Sequence, residues 1–390
     1  MRSALGLCRG RRRNPGPAAT SFARPNLSRR NSMPTDWDFC TTSLRQVSRT
    51  FSRPIEVLPG DLRKAVTCGY LLCRVVDAVE DNESFTIGER DQRYRGFHDV
   101  IQRASDATKF EQSWSGVQGS PPEELALCSQ IHRVVAVLDT VPFEMREAVL
   151  RWVTEMARGM QIYSHRSADA DGIIAPATSD DLQRYCYFVA GTVGHMLTEL
   201  FVLEMDLEPD SAVAQQLAEH SEAFGTGLQL VNILKDITDD LHRGWSFVPR
   251  SLCRAQGLRH RELTDPSRRS AAHRAVVPLF ELTRLNLDRA LNYALAVPAE
   301  HREIRLFCLL PLWLAVKTLG LAYGNDAMFI AGQEVKVSRA QVEDVIARCA
   351  TGCGDDTTLR ADYEAMWNPV SRLMVAGSVV SEWPQEIDAA

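Results

Sequence analysis

From Asp36 to about Ala350, apolar residues recur at the three- and four-residue spacings of an amphipathic helix, and strand-like alternation is nearly absent. The pattern predicts helices over Leu125–Leu138, Pro142–Tyr163, Ser211–Leu241, Val276–Ala296 and Glu303–Tyr323. Ser179-Asp-Asp-Leu reads as a helix start, because its acids would sit in the first turn, against the positive end of the helix. Breaks are signalled at Ser120-Pro-Pro, through residues 169–179 and at Arg243-Gly-Trp. No repeat of solenoid length organises the series. The reading is one all-α domain over residues 36–350. A disordered basic segment (1–35) precedes it, and a loosely specified tail without a transmembrane anchor (351–390) follows. The longest apolar run, LFCLLPLWLAV between Arg305 and Lys317, is too short to cross a bilayer and carries Pro311, so it is expected to be a buried core helix.

Charge sharpens this picture. The chain carries −6 overall, yet residues 1–35 hold eight Arg and no acid, so the remainder stands at −14. An acidic body excludes nucleic acid as the main partner, since a phosphate backbone needs a basic footprint. The basic opening segment reads either as an organelle-targeting arm within residues 1–32 or as sequence upstream of a start at Met33. The ten cysteines lack zinc-site spacing, Cys349 and Cys353 forming only a CxxxC. Buried reduced thiols in a cytoplasmic protein follow.

The chemistry is concentrated in two segments, Tyr70-LLC-Arg74-VV-Asp77-AV-Glu80-Asp81 and Gln229-LV-Asn232-ILK-Asp236-IT-Asp239-Asp240. On a helix, Tyr70, Arg74, Asp77 and Asp81 share one polar stripe with Glu80 beside it. Gln229, Asn232, Asp236 and Asp240 share another, with Asp239 adjacent. One such stripe alone would be read as a solvated face. Two, each following a strongly apolar helical run, argue otherwise, because clustered like charges destabilise a helix unless a cation compensates them. Carboxylate oxygens suit Mg²⁺, which takes one or two carboxylates plus waters and phosphates. Two facing clusters would hold Mg²⁺ against a diphosphate, with Arg74 and Arg49 as clamps on the same anion.

Other site signatures are missing: no GxSxG, HExxH, P-loop or GxGxxG occurs, and no His follows a Glu at the di-iron spacing. His195 reads as a packed core residue.

Five ordered blocks carry a resemblance: Val47-SRTF-Ser52, Arg74-VVDAVED-Asn82, Tyr185-CYFVA-Gly191, Leu228-QLVNILKDITDD-Leu241 and Leu306-FCLLP-Leu312. Over about Cys40 to Ala350 the chain resembles the squalene/phytoene synthase family, its squalene-forming branch in particular. The resemblance implies an isoprenoid-synthase-type helical bundle around a central active-site cavity. It implies head-to-head joining of two farnesyl diphosphates to a cyclopropyl diphosphate, and then reduction to squalene with NADPH. It assigns metal binding to Asp77, Glu80, Asp81, Asp236, Asp239 and Asp240, and diphosphate contacts to Ser48, Arg49, Arg74, Lys235 and Arg243. Tyr70, Gln229 and Asn232, on the two polar stripes, join the substrate-binding candidates. Tyr185 matches the family's proton-removing, cation-stabilising tyrosine, and Phe51 and Phe307 its cavity aromatics. A dry aromatic cavity suits carbocations, which water would quench.

The cofactors implied are Mg²⁺ and NADPH. With no glycine-rich nucleotide loop, the NADPH site is expected to be irregular and near Asn325–Lys336. A monomer is expected, in peripheral contact with a membrane for product release. The second motif departs from the squalene-forming pattern, with Ile237 where Tyr is usual and Asp239 where Glu is usual, and His242-Arg-Gly-Trp-Ser-Phe-Val-Pro resembles the bacterial branch. Alternatives are a phytoene, dehydrosqualene or hydroxysqualene synthase without reduction, a cyclase acting on one diphosphate, or a non-catalytic scaffold. Intact acids in both motifs argue against the scaffold.

Overall fold

The computed structural model describes residues 35–48 and 50–377, with side chains as far as Trp367. Arg49, residues 1–34 and residues 378–390 lie outside the described residues, and with them fall the basic segment and one proposed phosphate clamp.

The described chain is helix after helix. The first nine are α1 (Asp36–Val47), α2 (Ser52–Glu56), α3 (Gly60–Asp81), α4 (Ile87–Ile101), α5 (Thr108–Gln112), α6 (Pro122–Cys128), α7 (Ile131–Leu138), α8 (Phe143–Ser164) and α9 (Ser179–Cys186). A π-helical turn at Tyr187–Gly191 leads without a break into α10 (Thr192–Glu204). There follow α11 (Ala212–Lys235), α12 (Ile237–His242), α13 (Arg250–Ala255), α14 (Arg269–Ala296), α15 (Arg302–Ala322), α16 (Arg339–Gly352) and α17 (Asp356–Gly377). Among the described residues the only β pairing is a single bridge between Ile174 and Trp245.

Local chemistry explains several starts. Thr35 with Asp38, Thr86 with Glu89 and Ser338 with Gln341 form reciprocal capping boxes. Thr178 caps α9 by accepting from Asp181 N. Elsewhere packing overrides pattern. The helix expected over Leu125–Leu138 is two, α6 and α7, divided at Ser129–Gln130. Pro311 does not end its helix, nor does Pro278 in α14: both lie inside continuous helices. α15 matches the helix expected over Glu303–Tyr323 to within a residue at each end. By length and composition it and Ser179–Glu204 could cross a membrane, but 67% and 61% of their most apolar windows are buried within the protein. They are core walls.

The long helices α3, α8, α10, α11, α14 and α15 pack around one another, with the most extensive contact between α11 and α14. The crossing of α11 with the segment before α10 is a backbone contact. A Cβ on Gly225 would sit 2.0 Å from Ala190 O, and one on Gly194 1.9 Å from Ser221 O. Beside this crossing lies an apolar chamber walled by α3, α10, α11 and α15.

The tail boundary also moves. Residue 350 falls inside α16, and α17 buries Leu359, Tyr363 and Trp367. Arg305 is buried and donates to Val297 O (2.7 Å), Leu295 O (3.0 Å) and Cys353 O (2.9 Å) while pairing with Asp356 at 2.7 Å. It thereby joins the end of α14, the start of α15 and the α16–α17 turn. All nine described cysteines are buried and free. His195 packs against Trp152 (ring centroids 4.7 Å apart) and shares a 2.8 Å hydrogen bond with Ser221.

Candidate active site

The first acidic motif occupies the last turns of α3, a helix buried almost throughout. Asp77 and Glu80 are buried and Asp81, the last helical residue, is half-buried. A solvated face is excluded. Taking carboxylates out of water is costly unless they are paired, and the pairing is supplied by Arg74. It donates to Asp77 Oδ2 at 3.0 Å and, on its other side, to Glu124 Oε1 at 2.6 Å. Glu124 is buried in α6. The sequence reading gave it no role beyond following the break at Ser120-Pro-Pro. Asn82 fixes the end of the motif, its amide donating to Gln118 O and Ser120 Oγ, both at 2.8 Å.

The second motif is built differently. α11 ends at Lys235, and Asp236 takes a non-helical backbone (φ −105°, ψ 18°) before α12 begins. The single helix expected over Ser211–Leu241 therefore breaks within the motif. Asp236 and Asp240 are buried, whereas Asp239 is exposed on the solvent side of α12. Asp239 therefore stands apart from the group its motif position assigned it to. Lys235 pairs with Asp236 and Arg243 with Asp240, both closely.

Tyr185 stands between the motifs. It lines a small polar pocket with Gln229, Asn232, Asp236, Asp240 and Phe247. Burial raises its phenol well above the usual range, and Glu80 and Asp77 from one motif and Asp240 from the other push the same way. Burial likewise pushes the Glu80 carboxyl up to about 8, with Asp77 adding to it and Arg243 of the second motif pulling back. Asp240 is pushed up to about 6 by burial, against the pull of Arg243 and with the push of Asp236. The clusters therefore share one electrostatic environment. The Tyr185 ring stacks on Phe247 (5.0 Å, 24°) and meets Tyr163 edge-on (5.2 Å). Phe247 is held by the bridge of Ile174 to the segment after Arg243 and stacks in turn on Trp245. Sequence reasoning missed it; its position four residues past Arg243 was the available signal.

Phe51, Tyr70 and Phe307 line the neighbouring apolar chamber with Val66, Leu197 and Leu228. Ser48 Oγ accepts from Phe51 N at 3.0 Å, and burial raises the Tyr70 phenol. Ser48 is buried but bound to backbone. The segment Asn325–Lys336 contains a short 3₁₀ turn, Asp326–Phe329, that packs against α12.

The donor set fits a hard cation and its diphosphate. Glu80 Oε1, Gln229 Oε1 and both polar atoms of the Asn232 amide are buried without a hydrogen-bond partner among the described residues. Such orphans are rare unless a ligand satisfies them. Among the described residues no three His, Cys, Asp or Glu side chains converge closely enough to hold a metal ion by themselves.

Residues 44–341 match the family model described as squalene/phytoene synthase, and the chain belongs to that family of prenyltransferase-type enzymes. Among curated proteins it is 28% identical to squalene synthase 1 of Arabidopsis thaliana over 323 residues, covering 81% of this chain and 72% of the plant protein. It is 25% identical to the squalene synthase of Rattus norvegicus over 315 residues, covering 80% of this chain and 70% of the rat protein. Its fold matches a ligand complex of TcSQS with a TM-score of 0.70 at 23% identity, over 88% of this chain and 99% of that one. A dehydrosqualene synthase bound to a ligand gives 0.56 at 17% identity, over 81% and 95% of the two chains. The helical isoprenoid-synthase architecture expected from the sequence is the one observed.

Proposed function

We propose that this chain condenses two farnesyl diphosphates head to head to presqualene diphosphate and reduces that intermediate to squalene with NADPH. The observation that carries the reading is the burial of Asp77, Glu80, Asp236 and Asp240 around Tyr185, beside an apolar chamber. Buried carboxylates serve stability poorly, since apolar side chains would pack there at less expense. An assembly scaffold would have no use for them.

Magnesium, held by Asp77, Glu80 and Asp81 on one side and by Asp236 and Asp240 on the other, would neutralise each diphosphate as its C–O bond breaks. Lys235 and Arg243, paired with Asp236 and Asp240, are the cations placed to contact phosphate oxygens. Gln229 and Asn232 would donate and accept from the pocket wall. Tyr185, its proton tightly held, would orient the allylic cation against its ring and relay the proton lost on cyclopropane closure, passing its own phenolic proton to the departing diphosphate as it takes up the one from carbon. Phe51 and Phe307 would shield the hydrocarbon chains from water. The free volume of the apolar chamber is about 40 Å³, room for little more than one water. Binding of farnesyl chains must therefore displace side chains such as Phe51 and Met196. NADPH supplies hydride to the second half-reaction, and Asn325–Lys336, against α12, is the segment we assign to it. The relatives named squalene synthase favour squalene over the unreduced alternatives.

The test is incubation with farnesyl diphosphate and Mg²⁺, with and without NADPH, followed by product analysis. Squalene should require NADPH, and without it presqualene diphosphate or alcohols derived from it should accumulate. A product pattern indifferent to NADPH would move the chain to the dehydrosqualene or phytoene branch.

A further inference from the structure

We infer that Glu124 is a positioning residue for the metal site: by sharing Arg74 with Asp77, it keeps the Asp77 carboxylate available to a divalent cation. The inference rests on the proposed magnesium chemistry and deepens it. Arg74, Asp77 and Glu124 are all buried, and the guanidinium divides its donors between two carboxylates, Nη1 to Asp77 at 3.0 Å and Nη2 to Glu124 at 2.6 Å. The shorter contact is the remote one. Arg74 therefore faces away from the pocket as much as into it, which suits a fixed strut better than a mobile phosphate clamp.

The charge count gives the direction of the effect. Two carboxylates and one guanidinium leave the buried triad at −1, a net charge that attracts a cation. Without Glu124 the remaining Arg74–Asp77 pair is neutral. The guanidinium is then free to take both oxygens of Asp77 in the two-pronged geometry Arg favours, and a metal must compete with it for the same lone pairs. Groups that orient and tune a metal ligand from behind typically change affinity 10–100-fold when removed. α6 carries Glu124 from a start fixed by Pro121 and Pro122. The negative charge is therefore delivered by a rigid element across from α3.

The experiment compares wild type with Glu124→Gln and Glu124→Asp by two readouts. One is the Mg²⁺ dependence of thermal stability in the presence of inorganic pyrophosphate, and the other is Mn²⁺ binding followed by electron paramagnetic resonance. Glu124→Gln should raise half-saturation by Mg²⁺ and the Mn²⁺ Kd at least tenfold. Its metal-free melting temperature should stay level or rise, because a net buried charge has been removed. Glu124→Asp, whose carboxylate is one methylene shorter, should lie between the two and stand as the deciding variant if the glutamine protein does not fold. Metal dependence equal to wild type in either folded variant would overturn the inference. So would an equal drop in melting temperature with and without metal, which is the mark of a merely structural ion pair. Wild-type protein that shows no response to Mg²⁺ at all would instead refute the proposed function.

Discussion

The two acidic motifs have nearly the same sequence pattern but neutralise their charge in different ways. In the first, an unbroken helix carries Asp77 and Glu80 into the interior, and the one cation, Arg74, is shared with a second acid, Glu124, fifty positions along the chain. In the second, the helix breaks at Asp236, and the counterions Lys235 and Arg243 lie within three residues of the acids they pair with. The first is therefore a fixed wall whose electrostatics are set by tertiary packing. The second is a local device: its acids are buried, but its cations are partly exposed and come from the same stretch of chain.

The largest effect should come from removing a carboxylate on either side. Asp77→Asn and Asp240→Asn should each lower turnover at least ~10³-fold, about 4 kcal/mol of transition-state stabilisation, with circular dichroism unchanged. Near-normal rates in one variant alone would show that the motifs are not equivalent partners. Next come the counterions. Arg74→Leu leaves two buried carboxylates uncompensated and should destabilise the fold by about 3–5 kcal/mol. Arg243→Leu strips the counterion from buried Asp240, whose carboxyl is already pushed up to about 6 and can take a proton instead, and should cost about 1–3 kcal/mol. Equal losses in denaturant unfolding would erase the distinction between wall and device.

Protonation separates the motifs on a smaller scale. Glu80 holds its proton up to about pH 8 in the native protein, against an ordinary 4.5, and Asp240 up to about 6, against 3.8. Between those limits the unfolded chain has lost a proton that the native state keeps, so native stability falls as pH rises. From pH 6 to 8 only Glu80 of the two contributes, at up to about 1.4 kcal/mol per unit. Metal-free wild type should lose stability across that window in a chelator, and Glu80→Gln should be nearly flat. A slope that survives the substitution would place the titrating group elsewhere. The smallest effect concerns the aromatic wall. Phe247→Leu removes the stack on Tyr185 and should slow turnover roughly tenfold, about 1.4 kcal/mol. Tyr185→Phe keeps the stack but removes the hydroxyl, and should lose more. If the order reversed, shielding rather than proton transfer would be the chief role of that ring.

Sequence made the first motif's stripe and the helical class legible, because burial of an apolar face imposes a 3.6-residue period wherever a helix runs straight. It did not reveal the break at Asp236, since one residue's backbone angles leave the surrounding periodicity intact. The period also carried the expected helix Glu303–Tyr323 straight through Pro311, where packing on all sides outweighs the single hydrogen bond proline gives up. Phe51 and Phe307, matched from sequence to cavity aromatics, line one apolar chamber and are buried in the core. Glu124 and Phe247 were missed because their meaning lies in which distant residue they touch. Asp239 differs for the opposite reason: a motif counts positions, and after the turn at Asp236 this one faces solvent while Asp236 and Asp240 are buried.

Arg305 ties the far end of the chain to the chamber. Its guanidinium fastens the α16–α17 turn to the end of α14, and two residues on Phe307 lines the chamber wall. The α16–α17 turn should therefore open together with that wall, which hydrogen exchange at the α16 amides would show. A protease cutting near residue 350 would have to wait for the rare opening of the whole molecule, and a chain ending there would lose Asp356 and Cys353 from around a buried cation. Tags and fusions placed after α17 avoid this clasp, whereas shortening the chain to the edge of the matched family region would loosen the chamber from behind.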